Sequence, residues 1–184
     1  MRQVAIIGLA PSTHDDAPYK DPSWELWGLT IDVEKCFYFD RMFQMHPLSF
    51  LNSSRNSKIH EDSLKEFDIP IYMQESYSEI PNSIAYPLDD VISIVGDYFS
   101  SSIAYMIGLA ILEKVDRIGI WGVDMSSDDE HEYQRPNAEY LLGFAKGRGI
   151  DVFVPEESPL LTFGFGDQVL ADDWKGRYGY YSVE

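Results

Sequence analysis

The chain has 184 residues, of which 45% are hydrophobic and 24% charged. This is the composition of a soluble globular protein of one domain, and it excludes a disordered or fibrous chain. With 14 lysines and arginines against 31 aspartates and glutamates, the net charge at pH 7 is −17. Because nucleic-acid affinity depends mainly on cations that replace counterions, this charge argues against general nucleic-acid binding. Cys36 is the single cysteine, so neither an intrachain disulfide nor a cysteine-based zinc cluster can form.

Membrane association is also not expected. No stretch approaches about 18 uncharged apolar residues, the length that a membrane-spanning helix needs. The segment after Met1 lacks the charged and then apolar pattern of a secretory leader. We therefore expect a cytoplasmic protein.

Short apolar runs alternate with helical patterns along most of the chain. The runs predict strands at residues 4–7, 26–29, 41–46, 69–73, 117–123 and 151–154. Apolar spacing predicts helices at residues 57–67, 101–114 and 137–147. This alternation predicts an α/β fold, a single doubly wound Rossmann-like domain with a mostly parallel sheet, over residues 1–163. Residues 164–184, rich in glycine and aromatic residues, are predicted to form a tail.

The turn after the first strand is one candidate site, because ligands of such folds bind outside the carboxyl ends of the strands. Its sequence is GLAPST, from Gly8 to Thr13. A glycine permits close approach of the backbone, and the hydroxyl and N–H groups of the turn can hold an anionic or ribosyl group. The turn matches neither GxGxxG nor a Walker A motif. Helix capping by Ser12 or Thr13 explains the same residues.

Three serines, Ser100, Ser101 and Ser102, begin the helix predicted at 101–114. Hydroxyl and N–H groups at a helix start favour a phosphate or carboxylate, and capping accounts for only one serine. His46, predicted to end a strand, is either a ligand contact or proton carrier, or a structural histidine.

An acidic cluster follows the strand predicted at 117–123: Asp124, Asp128, Asp129, Glu130, His131 and Glu132. At a strand end, the carboxylate of Asp124 can hold Mg²⁺ or a ribose hydroxyl. The run at 128–132 is typical of a solvated loop. Arg135 either pairs with these carboxylates or binds a phosphate through two hydrogen bonds.

Three segments together resemble a known nucleotide-using superfamily. They are GLAPS after the first strand, SSSIAYMIGLAILEKVDRIGIWGVDM in the middle and VPEESPLL near the end. The superfamily joins bacterial lipooligosaccharide sialyltransferases to archaeal 6-hydroxymethylpterin diphosphokinases. Its members carry a G-x-G-P-S-type turn, a helix starting Ser/Thr-Ser-Gly, a strand ending G-I-D and a late P-x-S-x-L segment. The chain also resembles uncharacterised proteins of tailed phages.

The resemblance implies a set of nucleotide contacts. It assigns Gly8, Pro11 and Ser12 to a loop that binds a phosphate or ribose, and Thr13 belongs to the same turn. It implies that Ser101 and Ser102 contact the nucleotide or its leaving phosphate. Ala10 stands where the family favours glycine, and no glycine follows the serines.

The resemblance also implies a catalytic group. In the sialyltransferases a histidine shortly after the G-I-D strand is the general base, and here that segment holds His131 and Glu132. Asp124 would lie beside the site and hold a metal ion or a hydroxyl, with Mg²⁺ as the candidate cofactor. Arg135 would contribute to nucleotide binding.

Three functions follow as hypotheses. The first is a transferase that moves a glycosyl or phosphoryl group from a nucleotide or sugar-nucleotide donor. The second is a non-catalytic, phage-encoded protein that binds or sequesters a nucleotide in the host cytoplasm. The third is an acidic protein that mimics the charge of DNA and occupies a basic partner. The sequence does not distinguish a monomer from a homo-oligomer.

Overall fold

The computed structural model describes residues 1–32, 35–48, 57–125 and 129–161, without the side chains of residues 57–61 and 129–132. The strands within these ranges are β1 Gln3–Ile7, β2 Trp24–Leu29, β3 Arg41–Gln44, β4 Ile71–Met73, β5 Ser83–Ala85, β6 Arg117–Trp121 and β7 Asp151–Phe153. The helices whose bounds are described are α1 Ser57–Glu66, α2 Leu88–Val95, α3 Ser102–Leu112 and α4 Asp129–Gly147. The tail predicted at 164–184 lies outside the described residues.

All seven strands form one parallel sheet in the order β5-β4-β3-β2-β1-β6-β7. The central strand β1 pairs with β2 on one side and with β6 on the other, and Ile7 lies opposite both Gly28 and Trp121. Its residues Val4–Ile7 are completely buried, which is why the run shows no alternation of apolar and polar residues. The predicted α/β fold with a parallel sheet is confirmed.

Helices cover both faces of the sheet. Val4 and Ile6 point to one face and pack with apolar residues of α3 and α4, whereas Ala5 and Ile7 point to the other face and share a cluster with Leu64 of α1. Helix α3 lies between the sheet, α2 and α4. Because α3 has neighbours on three sides, its sequence is apolar nearly all round.

Several predicted boundaries were wrong. β6 ends two residues earlier than predicted because Gly122 adopts a φ of +63°, which turns the chain out of the strand. β3 ends at Gln44, before His46, and β4 begins at Ile71, after Pro70. The short pair β5 and α2 was not predicted, because SIA and LDDVISIV are too short to show a clear period.

The start of α4 is a further correction. The run at 128–132 was predicted to be a solvated loop and the helix to begin after Pro136, but α4 begins at Asp129 and contains Pro136. Acidic residues in a first turn are stabilised by the helix dipole, which favours this earlier start. The side chains of His131 and Glu132, and all of Asp128, lie outside the described residues.

An ion network joins the amino ends of the central strands to the end of α3. Arg2 contacts Glu25 at 2.8 Å and Glu113 at 2.6 Å, and Arg41 contacts the same two carboxylates at 2.6 and 2.7 Å. Glu113 directly follows α3, so the C-terminus of α3 lies at the amino edge of the sheet. The helix is about 16 Å long, about the length of β1, so its N-terminus lies level with the carboxyl edge.

The carboxylate of Glu25 gives this network a pH dependence. Burial alone would raise the pKa of Glu25, but hydrogen bonds from Trp27 and Arg2 and the charges of Arg41 and Arg2 hold it below its ordinary value. A group whose pKa is lowered on folding stabilises the protein fully above its unfolded pKa, and this stabilisation is lost as the pH falls through the folded value.

We therefore expect Glu25→Gln to lower the free energy of unfolding at pH 7 by about 1–2 kcal/mol, since two arginines lose a charged partner. Urea unfolding of both proteins between pH 7 and pH 3 measures the difference. It should shrink as the pH falls below the unfolded pKa of glutamate, because the wild-type carboxylate then becomes protonated. A difference that is constant over this range would show that the charge of Glu25 is not responsible.

Candidate functional site

The order of the strands defines a crevice at the carboxyl ends of β1 and β6. From β1 the chain builds β2 to β5 on one side and then returns to place β6 on the other side. The connection that follows β1 and the connection that follows β6 therefore run in opposite directions along the sheet. In open α/β sheets such a switch point is where ligands bind.

Two glycines bring the backbones together at this point. The amide of Gly8 donates to the carbonyl oxygen of Trp121 at 2.9 Å, and the amide of Ala10 donates to that of Gly122 at 2.8 Å. A Cβ atom on Gly8 would lie 2.3 Å from the oxygen of Gly122, and one on Gly122 would lie 2.5 Å from the oxygen of Gly8. Only glycine permits this approach at either position.

Side chains of the first turn fix it to the end of β6. The hydroxyl of Ser12 donates to Oδ1 of Asp124 at 2.5 Å, and Oγ1 of Thr13 accepts a bond from the amide of Gly122 at 2.8 Å. Thr13 is buried, whereas Ser12 and Asp124 are partly exposed. The structure thus brings together Gly8, Ser12, Thr13 and Asp124, which lie far apart in the sequence.

The turn keeps part of its capacity to bind an anion. Gly8 and Ala10 use their amides to pair with β6, and Pro11 has none. The amides of Leu9, Ser12 and Thr13 donate to no other group among the described residues. Donors on successive residues of a turn can hold an anionic oxygen.

The late segment that carries part of the resemblance also reaches this site. The buried hydroxyl of Ser158 donates to the carbonyl oxygen of Val123 at 2.8 Å and accepts from the amide of Leu160 at 3.2 Å. Val123 directly precedes Asp124. The first turn, the end of β6 and the PEESPLL segment therefore lie in one region of the fold.

The serines before α3 have structural partners. The fully buried side chain of Asn137 in α4 accepts from the amide and the hydroxyl of Ser100 at 2.9 and 3.0 Å and donates to the carbonyl oxygen of Tyr98 at 2.5 Å. Ser101 caps α3 by accepting from the amide of Ala104 at 3.2 Å. Ser102, the first residue of α3, makes no side-chain hydrogen bond within the described ranges.

Arg135 lies in α4 and is buried. Its Nε donates to Glu139 at 2.8 Å, and its Nη2 donates to the carbonyl oxygen of Pro159 at 2.6 Å. Glu139 in turn accepts from the amide of Leu161 at 3.0 Å. The guanidinium group thus fastens the PEESPLL segment to α4. Its partner Glu139 is not one of the carboxylates at 124–132 that the sequence analysis considered, so the two roles predicted for Arg135 stay predictions.

The described part of the chain shows neither a metal site nor a helix that spans a membrane. Within it, no three histidine, cysteine, aspartate or glutamate side chains form a group able to hold a metal ion. Asp124 lies just before residues outside this part, so Mg²⁺ at Asp124 stays a prediction. Among the described helices, none is long and apolar enough to cross a membrane.

One pair of polar side chains at the same edge was not predicted. Nε2 of His14, in the short 3-10 turn His14–Asp16, lies 2.7 Å from Oδ2 of Asp32, three residues after the end of β2. The available signal was a histidine after one strand and an aspartate after the next. His46, which the sequence analysis names as a ligand contact, a proton carrier or a structural histidine, is exposed.

Solved structures of the sialyltransferase CstII from Campylobacter jejuni share this fold. The complex with the substrate analogue cytidine-5'-monophosphate has a TM-score of 0.52 and 15% sequence identity, over 84% of this chain and 79% of that chain. A point variant of CstII with CMP has a TM-score of 0.56 and 13% identity, over 86% of this chain and 82% of that chain. The complex with a trisaccharide acceptor and CMP has a TM-score of 0.51 and 14% identity, over 83% and 80%.

No protein-family model matches the sequence, and no curated protein matches it either. The solved CstII structures confirm the resemblance to sialyltransferases at the level of the fold. The links to the diphosphokinases and to phage proteins stay predictions.

Proposed function

We propose that the chain is a glycosyltransferase that uses a nucleotide-sugar donor. The observation that carries the proposal is the meeting of Gly8, Ser12, Asp124 and Ser158 at the switch point of the sheet. The solved CstII structures, which share the fold, are complexes with CMP in several cases. Ligand binding at this crevice is what the topology favours.

The donor phosphate would contact the first turn and the start of α3. Leu9, Ser12 and Thr13 keep amides for it, and Ser102 adds a hydroxyl at the positive end of the helix dipole. Donors fixed in this way stabilise the negative charge that develops on a leaving phosphate. Arg135 stays a candidate nucleotide contact because its positive charge lies beside the PEESPLL segment.

Asp124 is proposed to hold a ribose hydroxyl or Mg²⁺. Its partly exposed carboxylate has one described partner, the hydroxyl of Ser12. A carboxylate accepts up to about four hydrogen bonds, so it has capacity for a ligand. On the resemblance alone, His131 or Glu132 would take the proton of the acceptor.

A thermal-shift panel tests donor binding. It contains CMP, CMP-linked sialic acid, other nucleoside monophosphates and ATP, each with and without Mg²⁺. A nucleotide at 100 times its dissociation constant adds about 2.7 kcal/mol of stability, which is several degrees for a domain of this size. We expect a shift with CMP or CMP-linked sialic acid. A shift with ATP alone would favour phosphoryl transfer, and a flat panel would move the assignment to the acidic protein that mimics DNA.

Asp124→Asn tests the role of the carboxylate. We expect the release of CMP from CMP-linked sialic acid to fall at least about 100-fold, with an unchanged circular dichroism spectrum, because the amide keeps the shape but not the charge. Asp116→Asn is the matched control, since Asp116 lies at the other end of β6. Full activity of Asp124→Asn would remove Asp124 from the site. A donor that wild type binds but leaves intact for hours would identify a nucleotide-sequestering protein.

A further inference from the structure

A histidine and an aspartate join the carboxyl ends of β1 and β2 beside the proposed donor crevice. His14 follows Thr13, whose hydroxyl is bonded to the end of β6, and Nε2 of His14 lies 2.7 Å from Oδ2 of Asp32. The turn after β1 is thus bonded to β6 through one residue and to the end of β2 through the next. The pair lies at the same edge of the sheet as the crevice, on its β2 side.

The bond to Asp32 determines which ring nitrogen of His14 can accept a proton. An ionised carboxylate can only accept, so Nε2 carries the hydrogen and Nδ1 carries a lone pair. Nδ1 lies 3.4 Å from Oδ1 of Asp15. The side chain of Asp15 is 81% exposed and is held by Lys35 at 2.9 Å. The Nδ1 edge of the ring therefore lies next to an exposed side chain, and the His14 side chain is itself 16% exposed.

Packing alone does not account for this pair. The side chain of Asp32 is only 6% exposed, and His14 is its single side-chain hydrogen-bond partner among the described residues. A buried carboxylate with one partner is costly to the fold. The arrangement matches that of a base whose ring is oriented by a carboxylate.

Aromatic rings extend from His14 along the same surface. The ring of Tyr19 lies edge-on to His14 with centroids 6.1 Å apart, and the ring of Tyr38 lies 5.4 Å from that of Tyr19. The neighbouring Phe37 is 91% exposed. Flat aromatic faces beside polar groups are typical of pockets that hold the apolar face of a small ligand.

We propose that Nδ1 of His14 is the proton acceptor of the transfer reaction, with Asp32 as its positioning residue. The acceptor is a sugar hydroxyl, and its ring packs against Tyr19 and Tyr38. This inference rests on the proposed glycosyltransferase function. It assigns the base to the turn after β1 and not to His131.

The reaction step balances without a further reactant. The acceptor O–H bond breaks, its proton moves to Nδ1 of His14, and the oxygen forms a bond to the anomeric carbon of the donor sugar. The bond between that carbon and the phosphate oxygen breaks, and the phosphate leaves with the electron pair as a nucleoside monophosphate. Asp32 stays ionised and stabilises the imidazolium ion that results.

Full-length His14→Gln and Asp32→Asn test the proposal in two assays. The first assay measures the dissociation constant of CMP. The second measures the rate of CMP release from CMP-linked sialic acid with lactose as acceptor. Both variants should bind CMP within about twofold of wild type. Release should fall about 100-fold or more in His14→Gln, the usual contribution of a general base, and less in Asp32→Asn. Asp21→Asn, at the other end of β2, is the matched control and should keep the wild-type rate.

The pH profile separates a base from a structural histidine. A general base must be neutral, so the wild-type rate should fall on acidification in a step that the residual rate of His14→Gln lacks. The other titratable groups that face the ring are Asp15, Asp32, Lys35 and Tyr19. Lys35 holds the pKa of Asp15 below its ordinary value, and burial, with the charges of Asp32 and Asp15, raises that of Tyr19. Neither Asp15 nor Tyr19 therefore titrates near pH 7.

Nitrogen-15 NMR of the histidine rings gives a readout without substrate. The neutral ring of His14 in wild type should show the Nε2–H form, and Asp32→Asn should shift the ring towards the other form. A ring protonated only at Nδ1 overturns the proposal, as does a wild-type rate in His14→Gln. CMP binding by wild type without CMP release, like the absence of nucleotide binding, overturns the proposed glycosyltransferase function itself. If His14→Gln does not fold, the rate of CMP release by Asp32→Asn and the tautomer of the His14 ring in wild type test the proposal.

Discussion

Gly8→Ala is expected to lower the free energy of unfolding by about 3 kcal/mol and to abolish CMP binding. The added Cβ would lie 2.3 Å from the carbonyl oxygen of Gly122 and 2.8 Å from a methyl group of Val123. The first contact is with backbone, so no side chain can rotate away, and overpacking of this kind costs about 1–3 kcal/mol or more. The turn and the end of β6 would have to separate, and the crevice between them would change shape.

Chemical denaturation and CMP titration of the folded fraction measure the two effects. Gly143→Ala is the control, because Gly143 lies inside α4 with no atom within 4 Å of the added Cβ. That substitution should stabilise the protein by about 0.5–1 kcal/mol, since alanine is the better helix former. If Gly8→Ala were as stable as wild type, the close approach of the two backbones would not be needed for folding.

The second large effect is expected for Asn137→Ala. Asn137 is fully buried and holds three groups of the segment before α3. Its removal leaves the amide of Ser100 and the carbonyl oxygen of Tyr98 without this partner, and each such loss costs about 1–3 kcal/mol. We expect about 3 kcal/mol of lost stability in total. CMP should also bind more weakly, because the start of α3 loses its attachment to α4.

Ser100→Ala provides the comparison in the same assays. It removes one of the two bonds that Asn137 accepts and leaves the backbone amide paired, so its cost should stay within about 1 kcal/mol. Hydrogen exchange of the amides of α3 would show the loosening directly in Asn137→Ala. Equal stability of the two variants would mean that Asn137 does not organise this segment.

The sequence contained enough information for the parallel sheet and for the neighbourhood of the first turn. Fully buried strands such as β1 show uninterrupted apolar runs, and parallel strands end at one edge. That rule placed Ser12 and Asp124 at the same edge, and the structure joins them by a hydrogen bond. The thermal-shift measurements with nucleotides test whether this region binds a nucleotide.

The partners of individual polar groups could not be predicted in this way. The pairing of His14 with Asp32 requires that β1 and β2 be neighbours, which depends on strand order and not on local pattern. Asn137 lies inside an amphipathic helix where its sequence position shows no sign of burial. Three serines in a row indicated an anion site, but Ser100 and Ser101 are held by structural contacts.

The place of β6 beside β1 has a consequence for synthesis of the protein. Arg2 and its partner Asp116, at the start of these two strands, are 114 residues apart. At about 5–20 residues per second, a ribosome takes on the order of ten seconds to make the intervening chain. Over that time β1 has an unpaired edge, and the crevice beside it has only one wall. In the nascent chain this edge of β1 therefore stays unpaired until β6 has been made.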